Sequence, residues 1–334
     1  MKKPAAYFSL AGMVVLGLLI VARSALVPTW INPNQRTGFG VSTSADASAW
    51  AHRLGGDWYI NWSVNPAAKN SHPEIWQMVR PLSNGGMKPD RQTIISVAHN
   101  YPGNIWIIGN EPDNIWQDNL TPDAYAHFYY DMYTLIKSSD PSARIAAGGI
   151  SQATPIRLRY LDQVLEDYHK DFGSSLPADW WTLHGYVLQE KRGSWGVDIP
   201  PGFSDQSGML YTTADHGSLK LFQDQILAFR TWMAKNGYRN KPLALTEFGI
   251  LLPQDFGYTP IAVSTYLENT FSWLDTAANN QTGYPGDQNH LVQKWAWFSL
   301  SDPNYGVSDL ANLPSEALTP IGTSYSNWVK AHNN

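Results

Sequence analysis

From Gly38 onward the chain alternates short apolar runs with longer stretches in which apolar positions recur every three or four residues. The short runs read as buried strands and the longer ones as amphipathic helices. Strands are expected at Gly38–Ser42, Trp58–Trp62, Glu74–Val79, Ile105–Gly109, Ala143–Gly148, Trp180–Gly185, Leu243–Phe248 and Gln293–Phe298. Helices are expected at Ala45–Leu54, Asp90–His99, Pro122–Ser138, Ile156–Phe172, Ser218–Asn236, Ile261–Ala277 and Thr323–His332. The link between the second and third strands, Pro66–His72, is too short for a helix. Strand followed by helix, repeated, builds a parallel sheet. Eight such strands predict an α/β fold of the (β/α)8 TIM-barrel type, with residues 37–334 as one domain. A doubly wound sheet with an additional subdomain is the alternative.

Ahead of this pattern, Met1-Lys2-Lys3-Pro4 precedes an almost wholly apolar run from Ala5 to Ala22, closed by Arg23-Ser24. A basic start and an apolar core mark an export segment. The small residues Ala22 and Ser24 suit cleavage after Ser24. The run is also close to the roughly 20 residues that span a bilayer. Residues 1–24 are therefore read as a signal peptide or a membrane anchor, with a tether through residues 5–22 left open. Residues 25–36, which include Pro28 and Pro33, read as a linker. Either reading puts the protein outside the cell, secreted or on the extracellular face of the membrane.

The formal net charge of −5 gives a mildly acidic surface, which argues against nucleic acid as a partner. The absence of cysteine excludes disulfides, thiol chemistry and thiolate metal sites. Fifteen Trp, 17 Tyr and 11 Phe are too many large flat side chains to pass without comment. They suggest an aromatic-lined binding cleft, with core packing as the plainer account.

In a parallel barrel, functional side chains sit at the C-terminal ends of strands. Two glutamates do so. Ile105-Trp106-Ile107-Ile108 runs into Gly109-Asn110-Glu111-Pro112, and Leu243-Ala244-Leu245 runs into Thr246-Glu247-Phe248-Gly249. A lone carboxylate after an apolar strand is costly to bury without a partner, so a functional reason is favoured at both.

With these two motifs on strands four and seven, the chain resembles clan A of the glycoside hydrolases, the retaining (β/α)8 enzymes. The resemblance spans Gly38 to His332 and implies that Glu111 is the general acid/base and Glu247 the nucleophile. It implies carboxyl groups about 5 to 5.5 Å apart, a Glu111 held protonated by a raised pKa, and a Glu247 held ionised. It also places Asn110 against the sugar 2-hydroxyl, and His184 and Tyr186 beside the nucleophile. Trp297 on the last strand would floor the subsite for the cleaved sugar. Trp62, Trp116 and Trp195 are candidate sugar platforms in loops at the same face, each with ordinary packing as its alternative.

No metal or cofactor is expected. Gly38-Phe39-Gly40 lacks the remaining glycines of a dinucleotide loop, the nine His show no zinc spacing, and Asp302, Asn304 and Asp309 fall short of a calcium set. The expected partner is a carbohydrate. The competing functions are a carbohydrate-binding barrel without turnover and an envelope-tethered scaffold.

Overall fold

The computed structural model describes residues 31–69, 71–82 and 85–332. The expected export segment lies outside the described residues. Ten strands form one curled sheet: β1 (Thr37–Gly40), β2 (Trp58–Ile60), β3 (Glu74–Ile75), β4 (Gln77–Pro81), β5 (Met87–Lys88), β6 (Ile105–Ile108), β7 (Arg144–Ile150), β8 (Trp180–His184), β9 (Leu243–Phe248) and β10 (Lys294–Trp297). A separate antiparallel pair, β11 (Ala311–Asn312) and β12 (Ala317–Leu318), lies near the C-terminus.

The order in the sheet is β3-β2-β1-β10-β9-β8-β7-β6-β4-β5, and all pairs are parallel except the β4/β5 hairpin. Only Trp76 separates β3 from β4, so the strands near the two ends of this order are one run of chain. Glu74 pairs with Trp58 on one side of that run, and Gln77 pairs with Trp106 on the other. The pairing therefore passes from strand to strand around a ring.

Seven helices cover the sheet among the described residues: α1 (Ala47–Leu54), α2 (Arg91–Asn100), α3 (Pro122–Ser139), α4 (Pro155–Phe172), α5 (Leu219–Lys235), α6 (Pro260–Thr276) and α7 (Pro320–His332). Asp46 and Asp90 cap α1 and α2 by accepting from two backbone N–H groups each. Four helices begin at a proline that follows a threonine, where the missing N–H costs nothing and φ is preset. This is why α7 starts at Pro320, ahead of the expected Thr323. Gly237, at φ +85°, stops the chain just past α5 in the left-handed region that glycine favours. The described residues between β2 and β3 hold no helix, as their length predicted.

Alternation along the strands sorts two layers. Trp58, Ile60, Trp76, Met78, Ile105, Ile107 and Trp180 fill the inside of the curl together with Ala146, Ala244 and Ala296. Trp76 lies 4.9 Å from both Trp58 and Trp180, centroid to centroid. Three indoles leave room for little more than alanine opposite them, the large-and-small interleaving of a filled barrel interior. Trp106, Trp181, Trp295 and Trp297 point the other way, into the layer under the helices.

The chain before β1 belongs partly to this body. Ile31 is buried with the interior cluster, and Arg36 makes a two-pronged ion pair with Asp287 at 2.7 and 2.9 Å. Ile31 and Arg36 are thus anchored in the body, and residues 32–35 between them are exposed.

Candidate active site

The two glutamates reach the same spot by different local devices. Beyond β6, Gly109 turns the chain at φ +87° and Glu111 follows in the left-handed region at φ +46°. That conformation strains a residue with a side chain and is held by surrounding bonds. The Glu111 N–H donates to Gly149 O at 2.9 Å, and the Asn110 N–H donates to Asp118 Oδ2 at 2.6 Å. Asp118 is itself clamped by Arg80 Nε at 2.7 Å, and burial outweighs that cation, pushing the carboxyl up to about 6.

Glu247 depends on a bulge. In β9, Leu243 and Leu245 face the helices and Ala244 faces the interior, so strict alternation would send Glu247 outward. The register shifts instead: Leu245 pairs with Leu183, and Glu247 pairs with His184 one residue on. The extra residue, Thr246, turns Glu247 inward, a device common beside active sites.

All four carboxylate oxygens then accept a hydrogen bond. Glu111 Oε1 lies 2.8 Å from His184 Nδ1, and Glu111 Oε2 accepts from Asn114 Nδ2 at 2.6 Å. Glu247 Oε1 accepts from Trp62 Nε1 at 2.6 Å and Oε2 from the Tyr186 hydroxyl at 3.2 Å. His184 Nδ1 is also 3.5 Å from Glu247 Oε2. One oxygen of each glutamate and a ring nitrogen of His184 lie within 4.8 Å of one another. Gly149 must be glycine for His184 to fit, because a Cβ there would stand 2.8 Å from the ring.

Burial pushes both carboxyls up. At Glu111 the nearer His184, by hydrogen bond and charge, and then Asn114 overcome that push and hold it below the ordinary value. Glu247 stays above its ordinary value, because burial and the Glu111 charge outweigh His184, Trp62 and Tyr186. Although burial opposes it, the two carboxylates raise His184. This reverses the expectation of a raised Glu111. The physical reason is the 2.8 Å contact with His184, invisible in the sequence.

The pair lies at the floor of an open cleft of about 370 Å³. Trp62, Trp116, Tyr186, Phe298 and Tyr305 supply its aromatic surface, and Asn110 and Asn114 its amides. Trp116 is 66% exposed and offers a flat aromatic face to the cleft. Asn110 Oδ1 is buried without a hydrogen-bond partner among the described residues, an acceptor left for a ligand hydroxyl. A second cavity of about 560 Å³ shares Ser42, Trp62, Arg80 and Gln117 with the cleft and extends it.

Two expected platforms do not line the cleft. Trp297 is buried under the helices against Phe248, Tyr266 and Phe271, with its indole donating to Ser308 O at 2.9 Å. Trp295 and Trp297 do share a side, but it is the outer one, since the inner side at Ala296 faces the three interior indoles. Phe298, one residue on, occupies the cleft. Trp195 packs with the cluster of Tyr186, Leu188, Val197 and Phe298. Sequence reasoning also missed Asn114 and Tyr305. Asn114 stands three residues beyond Glu111, the separation at which a turn brings side chains together.

No family model matches the chain, and no curated protein matches it. Solved structures do. A GH128 (subgroup II) endo-β-1,3-glucanase from Sorangium cellulosum aligns with a TM-score of 0.57 at 16% identity, over 87% of this chain and 97% of that one. A mutant GH128 (subgroup I) endo-β-1,3-glucanase from Amycolatopsis mediterranei, in complex with laminarihexaose, gives 0.57 at 15% over 88% and 99%. A GH128 (subgroup III) curdlan-specific exo-β-1,3-glucanase from Blastomyces gilchristii, in complex with glucose, gives 0.57 at 18% over 88% and 99%. The chain shares its fold with these GH128 glucanases.

One wall of the cleft is pinned from below by a buried arginine. Arg157, at the start of α4, pairs with Asp113 and with Glu190 at 2.8 Å, and donates to the carbonyls of Val197 and Asp198 at 2.9 and 2.8 Å. It thus ties the loop that carries Glu111 to the loop that carries Leu188 and Val197. Both carboxylates and the guanidinium are fully buried, where Arg's fork of donors suits it better than Lys.

Proposed function

We propose that this protein is a (β/α)8-barrel glycoside hydrolase that cleaves β-1,3-linked glucan with retention of configuration. The observation that carries the reading is the buried glutamate pair, with carboxylate oxygens within 4.8 Å at the floor of an open cleft. Inverting enzymes need about 6.5 to 9.5 Å between carboxyl groups to admit a water, whereas about 5 Å suits direct attack. The GH128 glucanases of like fold favour β-1,3-glucan as the substrate class. The apolar run at residues 5–22 supports export in the same reading.

In this mechanism a Glu247 oxygen attacks the anomeric carbon and the glycosidic C–O bond breaks. The leaving oxygen takes a proton from Glu111. Water then adds to the glycosyl ester, giving its proton to Glu111 and releasing Glu247. The proton that Glu111 delivers is shared with His184, whose raised pKa keeps it available across their hydrogen bond. Asn110 Oδ1 is placed to accept from a sugar hydroxyl.

One observation favours the same chemistry with the glutamates exchanged. Glu247 sits above its ordinary pKa and Glu111 below, the order that suits Glu247 as the acid. Azide separates the two assignments. With Glu247 as nucleophile, Glu247→Ala plus azide gives an inverted glycosyl azide, and Glu111→Ala plus azide gives a retained one, both read by NMR. Swapped products assign the roles the other way. A wild-type protein that releases no reducing sugar from laminarin or curdlan refutes the hydrolase reading.

A further inference from the structure

On the reading that Glu247 is the nucleophile, we infer that Trp62 is a positioning residue that acts through its indole N–H, not a stacking platform for sugar. Its Nε1 donates to Glu247 Oε1 at 2.6 Å, the shortest of the contacts to that carboxylate. Among the described residues, the only ion-pair partner of Glu247 is His184 at 3.5 Å, which stands closer to Glu111. Among the described residues no lysine or arginine pairs with Glu247. Beside the more distant His184, the buried carboxylate that must be ionised to attack is held by two neutral donors, Trp62 and Tyr186, and donors to the charged form oppose the upward push of burial.

Three features of the surroundings fix the indole in this place. Trp62 is at φ +52°, a strained conformation for a bulky residue, which a mere surface platform would not require. Gly40 clears the space beside it, because a Cβ there would lie 2.8 Å from Trp62 Cη2. Phe298 meets the ring edge-on, with centroids 5.7 Å apart. The indole is wedged between β1 and the end of β10 and pointed at the carboxylate. Its N–H fixes the plane of Glu247 as well as its charge.

Trp62→Phe keeps an aromatic ring and removes the donor. The expected result on laminari-oligosaccharides is a kcat lower on the order of 10- to 100-fold, with KM changed by less than about threefold. The acidic limb of the kcat/KM profile should move up by roughly one pH unit. A platform would behave otherwise: Trp62→Phe near wild type, and Trp62→Ala raising KM. The titration of Glu247 is followed directly in the full chain by 13C NMR of carboxyl-labelled glutamate, with the signal assigned through Glu247→Gln. In Trp62→Phe it should rise by roughly one unit. A folded Trp62→Phe with an unmoved Glu247 titration overturns the inference. If that variant does not fold, Gly40→Ala, which crowds the ring from the side, should produce the same upward shift. The NMR titration needs no turnover, so an inactive wild type refutes the proposed function while the role of Trp62 is still decided.

Discussion

His184 Nδ1 lies 2.8 Å from Glu111 Oε1, so the exchangeable proton of the site sits between an imidazole and a carboxylate. Because His184 is raised above its ordinary value, the proton stays in place into higher pH and is lost as pH climbs through that raised pKa. The basic limb of the kcat/KM profile should therefore belong to this pair. His184→Gln should lower kcat about 100-fold on unactivated glycosides and much less on aryl glycosides with good leaving groups. A mutant whose basic limb coincides with that of the wild type would show that the proton comes from elsewhere.

Acid should weaken the fold through His216. Its Nδ1 lies 3.0 Å from Val187 O and its Nε2 accepts from the Leu251 N–H at 2.8 Å, a pairing only the neutral ring can make. Burial lowers its pKa to about 4. The folded value is thus below the unfolded one, near 6.5, so the contribution is complete above about pH 6.5 and declines as pH falls to about 4. The expected loss is on the order of 3 kcal/mol across that window. Urea unfolding from pH 7 to 4 checks it, and His216→Gln should flatten the slope. Equal slopes for the two proteins would exclude His216 as the sensor.

Arg157 should be among the most expensive single side chains to remove. Arg157→Met leaves Asp113 and Glu190 buried without their cation, which typically costs about 3 to 5 kcal/mol. Chemical denaturation measures it, and a loss below about 1 kcal/mol would mean that the pocket rearranges. In a variant that stays folded, KM should rise as well, since the Leu188–Val197 wall loses its anchor.

Trp116 and Trp297 should fail in opposite ways. Trp116→Ala removes an exposed face and should raise KM on long oligosaccharides about tenfold, with kcat nearly unchanged and stability intact. Trp297→Ala empties a fully buried site and should cost about 3 to 5 kcal/mol in unfolding experiments. If Trp297→Ala instead raised KM at unchanged stability, the ring would have to face sugar after all.

What could be read in the sequence follows from which signals are local. Apolar periodicity placed seven of the eight expected strands, because burial on both faces writes a continuous apolar run, and it ran the remaining one, Glu74–Val79, through the break at Trp76 that divides β3 from β4. Asn110-Glu111-Pro112 and Thr246-Glu247-Phe248 stood out because a charge ending such a run is anomalous within a few residues. Direction was harder. Period-two counting puts Trp295 and Trp297 on one side but does not say which, and it points Glu247 outward unless the bulge at Thr246 is known. The hydrogen bonds of Glu111 were out of reach, since His184 lies 73 residues away and its effect depends on a 2.8 Å contact. For the same reason Trp62 passed for a platform: a loop tryptophan gives no hint of which way its N–H points.

The interior trio of Trp58, Trp76 and Trp180 supplies the molecule with a built-in optical gauge. Indoles in contact couple their electronic transitions, and the signed circular dichroism of such a coupled set depends on their mutual orientation. Trp58 lies on β2 and Trp180 on β8, while Trp76 sits in the one-residue link between β3 and β4, so any movement of β2 or β8 away from that link breaks the coupling. Trp116, alone and open to water, answers to ligands by its emission instead. Opening of the ring and filling of the cleft can thus be followed separately in one unlabelled sample.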